Sequence, residues 1–197
     1  MIIASDFEVA EPVDKVWRFF DNIPQVASCL PGAELTKELG DDKYEGRVAI
    51  RMGPVRMQFL GTADITERDE AAKRIVVHAV GADEKGRGQA AMVVGATLSA
   101  KGRGTKVAVT QDLQLSGAAA QYGRGMISDV SAVLMRDFAA NMQDRIERIE
   151  RGESAEQIAA AGPASSVSGF AIALRATRMA LTRVFRRFFL PYQPAAS

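Results

Sequence analysis

The sequence predicts an α+β protein in which a curved antiparallel sheet wraps around one long C-terminal helix, with a basic amphipathic tail helix after it. Three observations lead to this prediction. A period of two dominates residues 43–117, and a helical period follows as far as Gly152. The last part of the chain, residues 166–197, holds five arginines and no Asp or Glu.

The first 40 residues predict a strand and two short helices. Residues 1–10 mix apolar and polar side chains as a strand does, and Pro12 stands near the first turn of a helix whose apolar residues share one face. A further helical turn fits before Pro31 and Gly32, which break it and lead into an extended segment.

Residues 43–117 predict a series of β-hairpins. Apolar residues alternate with charged ones in KYEGRVAIR and VRMQFLGTADI, and three more apolar stretches are separated by RDEA, ADEKGRG and AKGRG. The GRG segments in these connections are predicted turns rather than phosphate-binding loops, because hairpin turns need the positive φ that glycine adopts. Hairpins make neighbouring strands antiparallel, and one apolar face per strand indicates a sheet covered on one side.

After Gly117 the apolar residues recur at helical spacing. A helix that starts near Ala118 is roughly 45 to 50 Å long at 1.5 Å per residue, enough to cross the concave face of the sheet. Residues 153–166 are small and contain Gly and Pro, which is typical of a linker, although their alanine run could extend the helix. The predicted organisation is therefore a folded domain over 1–152, a flexible linker over 153–166 and a tail over 167–197.

Charge is distributed unevenly along the chain. Residues 1–156 hold 20 Lys and Arg against 24 Asp and Glu, which leaves −4, whereas the remainder carries +5. A mildly acidic domain offers no broad phosphate-binding surface, so nucleic acid is not an expected partner. Cys29 is the only cysteine, so no intramolecular disulfide framework and no cysteine cluster for zinc is expected, which fits a reducing cytoplasm. The N-terminal residues lack the pattern of a secretory signal.

Three segments resemble the G-subunit family of carbon monoxide dehydrogenase, within the START-like (SRPBCC) superfamily. They are FEVAEPVDKVWRFFDNIPQVASCLPGAEL, MGPVRMQFLGTADI and DLQLSGAAAQYGRGMISDV, and the resemblance covers about residues 1 to 150. It implies a helix-grip fold with an apolar, ligand-binding cavity between helix and sheet. It also implies an accessory, non-catalytic role beside a carbon monoxide dehydrogenase-type molybdenum hydroxylase, with membrane association and a relation to quinones.

The apolar strands and the QYGRG segment supply the predicted ligand-binding residues. Methionines repack readily around an apolar guest, although ordinary core packing also accounts for them. Glycines early in a long helix cost about 1 kcal/mol each relative to alanine, and either a close approach to a ligand or strand or a simple distortion of the helix entry would account for Gly123 and Gly125. The predicted ligand-binding residues are Phe20, Leu30, Tyr44, Ile50, Met57, Phe59, Met92, Val94, Leu113, Tyr122, Gly125, Met126 and Val130.

Catalysis has little support in the sequence. His78 is the only histidine, and His78 and Asp112 are the visible acid and base candidates, provided that they point into the cavity. No second histidine or adjacent cysteine offers a nucleophile and base pair or a metal site. No catalytic residue, metal or covalent cofactor is therefore predicted.

The tail is predicted to bind an anionic membrane surface. At 100° per residue its apolar residues form one stripe, with the arginines on the other side. Spanning a bilayer would place arginines near its centre at about 2.5 to 3.5 kcal/mol each, whereas lying in the interface leaves them among lipid head groups. The alternative is that the stripe packs on the body or in another protein's groove. The predicted membrane-binding residues are Phe170, Leu174, Arg175, Arg178, Leu181, Arg183, Val184, Phe185, Arg186, Arg187 and Phe188.

These features predict a cytoplasmic carrier that associates peripherally with the inner face of the cell membrane. The resemblance implies its cargo, a respiratory quinone (menaquinone or ubiquinone), and its client, a carbon monoxide dehydrogenase-type molybdenum hydroxylase. The alternative is a membrane recruitment or maturation factor for that dehydrogenase that carries no cargo. A cyclase or hydrolase would need an acid and base pair inside the cavity.

Overall fold

The computed structural model describes residues 1–52, 55–154 and 157, and the predicted tail over 167–197 lies outside these residues. The order of the helices and strands confirms the predicted α+β arrangement. The elements are β1 (Ile2–Val9), α1 (Val13–Phe20), α2 (Ile23–Cys29), β2 (Ala33–Gly40), β3 (Lys43–Met52), β4 (Val55–Asp69), β5 (Arg74–Asp83), β6 (Gln89–Lys101), β7 (Gly104–Leu115), a 3-10 helix (Gly117–Gln121) and α3 (Arg124–Glu150).

One antiparallel sheet contains all seven of these strands in the order β1-β7-β6-β5-β4-β3-β2. Hairpins join β2 through β7 in sequence, and β1 pairs with β7 at the far edge. Gly86 (φ +67°) and Gly102 (φ +60°) occupy the two GRG turns, which confirms their prediction as hairpin turns. The strands approach closely at Gly61, where a Cβ atom would clash with the carbonyl oxygen of Val80.

The long helix starts later than predicted. The expected start near Ala118 is wrong, because residues 117–121 form the 3-10 helix and Tyr122 and Gly123 are extended before α3 begins. The Ala118 amide donates to the carbonyl of Arg87 at 2.6 Å, which ties the 3-10 helix to the β5–β6 turn. The predicted end is confirmed, since Gly152 adopts φ +81° just after the helix. The 27 residues of α3 span about 40 Å.

Buried apolar side chains form two clusters at opposite ends of α3. The closed-end cluster joins α1, α2 and the second half of α3 to the sheet, and includes Val16, Cys29, Val107 and Met142, all fully buried. The open-end cluster lies near the start of α3. Its members are Met57, Phe59 and Ala119, with Val48, Ile50, Val55, Ala90, Leu115, Tyr122 and Val130 packed against them.

The closed end is further fixed by specific contacts between its elements. The rings of Phe7 and Phe138 meet edge to face at 5.8 Å. Asn141 of α3 donates its side-chain amide to the carbonyl of Cys29 at 2.9 Å, which holds the end of α2. Burial raises the pKa of the Cys29 thiol to about 12, so this thiol stays protonated. No helix in the described part of the chain is both long and apolar enough to cross a membrane.

Candidate functional site

A row of side chains crosses the concave face of the sheet between the two clusters. The pairing of the strands brings its five members side by side on β3 to β7, and none of them belongs to either cluster. The members of this middle row are Tyr44, Ala63, Ala79, Met92 and Leu113. Tyr44, Met92 and Leu113 are predicted ligand-binding residues, whereas the two alanines were not predicted.

The next row toward the open end consists mostly of very small residues. It runs through Gly46, Gly61, Gly81 and Ala90 to Leu115. Both rows therefore have glycine or alanine on β4 and β5, in the centre of the concave face. The backbone of α3 comes close to β1, β3 and α2 rather than to the central strands. An arrangement in which small side chains face a more distant helix can admit an apolar ligand.

A buried polar pair lies beside the middle row. The hydroxyl of Ser131 on α3 donates to the side-chain carbonyl of Gln111 on β7 at 3.0 Å, and both residues are buried. The amide nitrogen of Gln111 has no partner among the described residues. Tyr44 is also buried, and burial, together with the charges of Glu38 and Asp42, raises the pKa of its hydroxyl. The site thus combines an apolar floor with a few polar groups at its edge.

The QYGRG segment forms the transition into α3 at the open end. Gly123 precedes the helix with ψ 151°, and Gly125 lies in the first turn. A Cβ atom on either glycine would meet no described atom within 4 Å, so neither glycine is needed for a close approach to a strand. Gly123 lies just before the helix, so the cost of a glycine inside a helix applies to Gly125 alone. Whether a ligand approaches Gly125 stays a prediction.

The thirteen predicted ligand-binding residues therefore occupy four different places. Three lie in the middle row, and Gly125 and Met126 are exposed at the start of α3. The others are Phe20, Leu30 and Val94 in or against the closed-end cluster, and Ile50, Met57, Phe59, Tyr122 and Val130 in or against the open-end cluster.

Most of the described domain matches a known protein family. Residues 6–147 match the family described as the G subunit of carbon monoxide dehydrogenase (CoxG). The chain belongs to this family. It thereby belongs to a group of accessory, generally non-catalytic proteins associated with carbon monoxide dehydrogenase. No curated protein matches the chain.

Solved structures similar to this CoxG family member share its fold. A conserved protein from Geobacillus kaustophilus is 19% identical with a TM-score of 0.68, and the match covers 75% of this chain and 96% of that one. The ZhuI aromatase/cyclase from Streptomyces sp. R1128 is 17% identical with a TM-score of 0.55, covering 79% and 97%. Ara h 8.0201 is 13% identical with a TM-score of 0.50, covering 74% and 97%. These likenesses confirm the predicted helix-grip fold.

The acid and base candidates of this CoxG family member lie on the outer face of the sheet, opposite to the concave face. His78 is exposed and pairs across the outer face of the sheet with Asp64 and Val93. Asp112 is also exposed on that face, where it accepts a hydrogen bond from the amino group of Met1 at 3.3 Å. The condition for catalysis by these two side chains, that they point into the cavity, is not met.

A shallow depression of about 630 Å³ lies on the sheet of this CoxG family member. Its lining includes Thr62, Val80, Ala82 and Ala91, whose side chains alternate with the concave rows and lie on the outer face, and also four residues of the second row, Gly61, Gly81, Ala90 and Leu115. No predicted ligand-binding residue lines it. Val80 is 57% exposed and, with Leu60 and Val93, makes this face partly apolar.

Proposed function

We propose that this CoxG family member carries a respiratory quinone, menaquinone or ubiquinone, between the membrane and a carbon monoxide dehydrogenase-type molybdenum hydroxylase. The observation that carries the proposal is the middle row, which has alanine at its centre and lies between the two packed clusters, next to a second row of glycine and alanine that borders the open-end cluster. Small side chains at these positions would leave room for a flat, apolar ring with a flexible chain.

The polar edge of the site suits the oxygen atoms of a quinone ring. We assign the Gln111 amide nitrogen as a donor to one quinone carbonyl, because Ser131 already occupies the side-chain carbonyl of Gln111. Met92 and Leu113 are half-buried and would cover the ring. The chain's own role is therefore to bind, orient and shield the quinone, and the electrons come from the dehydrogenase.

Ala79 offers a sharp test of the interior site. In Ala79→Trp a large ring fills the middle row, so we expect quinone binding in detergent to be lost. The matched control is Ala82→Trp on the same strand, whose side chain is on the outer face and exposed. It should bind quinone as the wild type does. Thermal unfolding of both variants establishes that each is folded, and Gln111→Leu, which keeps the volume, should weaken binding without abolishing it.

The same experiment separates the carrier from the recruitment or maturation factor. The exposed apolar residues on the outer face would suit a protein partner, which is the observation that favours the rival. A folded wild-type protein that binds no quinone supports the rival. Equal quinone affinity in Ala79→Trp and the wild type would remove the middle row from the site.

Membrane association through the tail is the second part of the proposal. Its support is the separation of five arginines from an apolar stripe in residues 170–188. Replacing the five arginines with glutamine should weaken sedimentation with anionic vesicles and remove most of its salt dependence, because about 1 kcal/mol per arginine comes from the surface potential. Phe185→Ser with Phe188→Ser should instead weaken binding at every salt concentration. Equal sedimentation of all three proteins would contradict a membrane role for the tail.

A further inference from the structure

Two arginines face each other on the hairpin at the open end. Arg51 on β3 is directly opposite Arg56 on β4, and both side chains are exposed. Like charges directly opposite each other destabilise an antiparallel pair. Neither guanidinium forms an ion pair with any carboxylate in the part of the chain that the structure describes. No described residue therefore offsets the local electrostatic cost at this position.

The start of α3 adds a third arginine that forms no ion pair with a described carboxylate. Arg124 is the first residue of the helix and is exposed, and the first turn contains no acidic residue. A cation at this position is unfavourable, because the amino end of a helix already carries a partial positive charge. The open-end cluster, which contains Ile50, Val55 and Tyr122, joins the arginine-bearing hairpin to the start of α3.

The local charge balance differs from that of the body as a whole. Asp83 and Arg87 neutralise each other in a bonded pair, with 2.7 Å between the Arg87 Nε atom and the Asp83 carboxylate. Lys85 adds a further positive charge in the β5–β6 turn, against the carboxylates of Glu84 and Asp129. The open end is therefore positive, although residues 1–156 together are acidic.

An exposed apolar side chain accompanies these charges. Met126 is 44% exposed in the first turn of α3, beside Gly125, and Tyr122 is only half-buried just before the helix. Arginines beside exposed apolar groups fit the head-group region of an anionic bilayer, where the cations bind phosphate and the apolar groups enter the acyl boundary.

We infer that the open end is a second membrane-binding surface, separate from the tail, in which Arg51, Arg56 and Arg124 bind lipid phosphates and Met126 enters the interface. This surface would turn the opening of the grip toward the bilayer while the tail keeps the protein nearby. The purpose of this surface rests on the proposed carrier function. The contact between the surface and the membrane depends only on the described residues.

A fluorescent label at Met126 tests the contact directly. Cys29 is fully buried, so a cysteine introduced by Met126→Cys in the full-length protein can be labelled selectively with an environment-sensitive dye. With vesicles containing anionic phosphatidylglycerol, its emission should shift to the blue and become quenchable by lipid-borne quenchers. The matched control is Arg103→Cys in the β6–β7 turn, beyond the closed end, where no shift is expected.

Charge variants identify the groups responsible. Arg51→Gln with Arg56→Gln should remove most of the shift at residue 126 and lower the vesicle partition coefficient by about fivefold per arginine. The control Arg103→Gln with Arg136→Gln makes the same change in net charge at exposed positions elsewhere and should preserve the shift. The inference is overturned if the label at residue 126 shows no shift with vesicles, or if replacing Arg51 and Arg56 leaves the shift unchanged.

These outcomes are independent of the quinone assay. If the protein sediments with vesicles but the label at residue 126 shows no shift, the second surface is ruled out. The proposals for the tail and for the carrier are then unaffected. A shift at residue 126 in a protein that binds no quinone supports the second surface and contradicts the carrier.

Discussion

The two ends of the grip are held together by different physical means. At the closed end, fully buried apolar side chains from α1, α2, α3 and the sheet interlock, and Val16, Cys29 and Met142 have no exposed surface. At the open end, the cluster has only three buried members. The Asp83–Arg87 ion pair stabilises the neighbouring β5–β6 hairpin. The difference predicts that the closed end supplies more of the stability than the open end does.

The Asp83 carboxylate is the centre of a polar network at the open end. It accepts hydrogen bonds from the Arg87 guanidinium and from the backbone amides of Gln58 and Lys85. Arg87 also donates to the carbonyl of Arg56 at 2.9 Å, so the network links β4 to the β5–β6 turn. These contacts position the turn without help from a large apolar core.

The largest expected contrast is in unfolding free energy. Met142→Ala leaves a cavity in the closed-end cluster and should destabilise the protein by about 2 to 5 kcal/mol. Met126→Ala removes an exposed side chain at the open end and should change stability by less than about 0.5 kcal/mol. Urea unfolding of both variants measures the difference. Equal losses would show that the open end is as closely packed as the closed end.

The second contrast is in pH dependence. The hydrogen bonds from Arg87 hold the pKa of Asp83 well below its ordinary value of 3.8. A lowered pKa stabilises the fold fully above the ordinary value, and this stabilisation is lost as the pH falls below it. Protection factors against hydrogen exchange in the β5–β6 hairpin should therefore fall below about pH 4 before those in the second half of α3 do.

Asp83→Asn is the variant that isolates this effect. It should be less stable than the wild type at pH 7 and should lose the acid-dependent step in the β5–β6 hairpin. Glu153→Gln is a useful control, because Arg148 also lowers the pKa of Glu153, but at the far end of α3. An acid-dependent step that persists in Asp83→Asn would assign it to another carboxylate.

The last expected contrast, at Gly125, is between a small effect on stability and an effect on ligand binding. Gly125→Leu adds a better helix former in open space, so stability should change by no more than about 1 kcal/mol. If a ligand approaches this glycine, the quinone dissociation constant should nevertheless rise. Fluorescence titration with a quinone, next to an unfolding curve, measures both quantities. Unchanged affinity would remove Gly125 from the binding site, while the middle row would remain.

The sequence allowed the elements to be predicted, because alternation and helical spacing are local signals. The hairpin order of β2 to β7 and the position of the helix end follow from them, whereas the pairing of β1 with the distant β7 does not. The late start of α3 could not be predicted, since it depends on the bond between Ala118 and Arg87, which are distant in sequence. Asp83 and Arg87 were missed because ADEKGRG reads as an ordinary polar turn, although an aspartate at the entry to such a turn is a common hydrogen-bond acceptor.

The candidate site was predicted only in part for a similar reason. Large apolar residues such as Met57 and Phe59 are equally suited to a core and to a cavity, and the structure packs them in the open-end cluster. Ala63 and Ala79 attract no notice in the sequence, and only the register between strands shows that they meet. Glycine or alanine at matching inward positions of successive strands is the signal that could have identified the row.

The region between the two clusters is the proposed quinone site. Its most direct test is mass spectrometry of an organic extract from the full-length protein after incubation with vesicles that contain menaquinone or ubiquinone, followed by removal of the vesicles. We expect close to one quinone per wild-type chain, far less from Ala79→Trp, and a wild-type amount from Ala82→Trp. A folded wild-type protein that leaves the vesicles without quinone would contradict the claim.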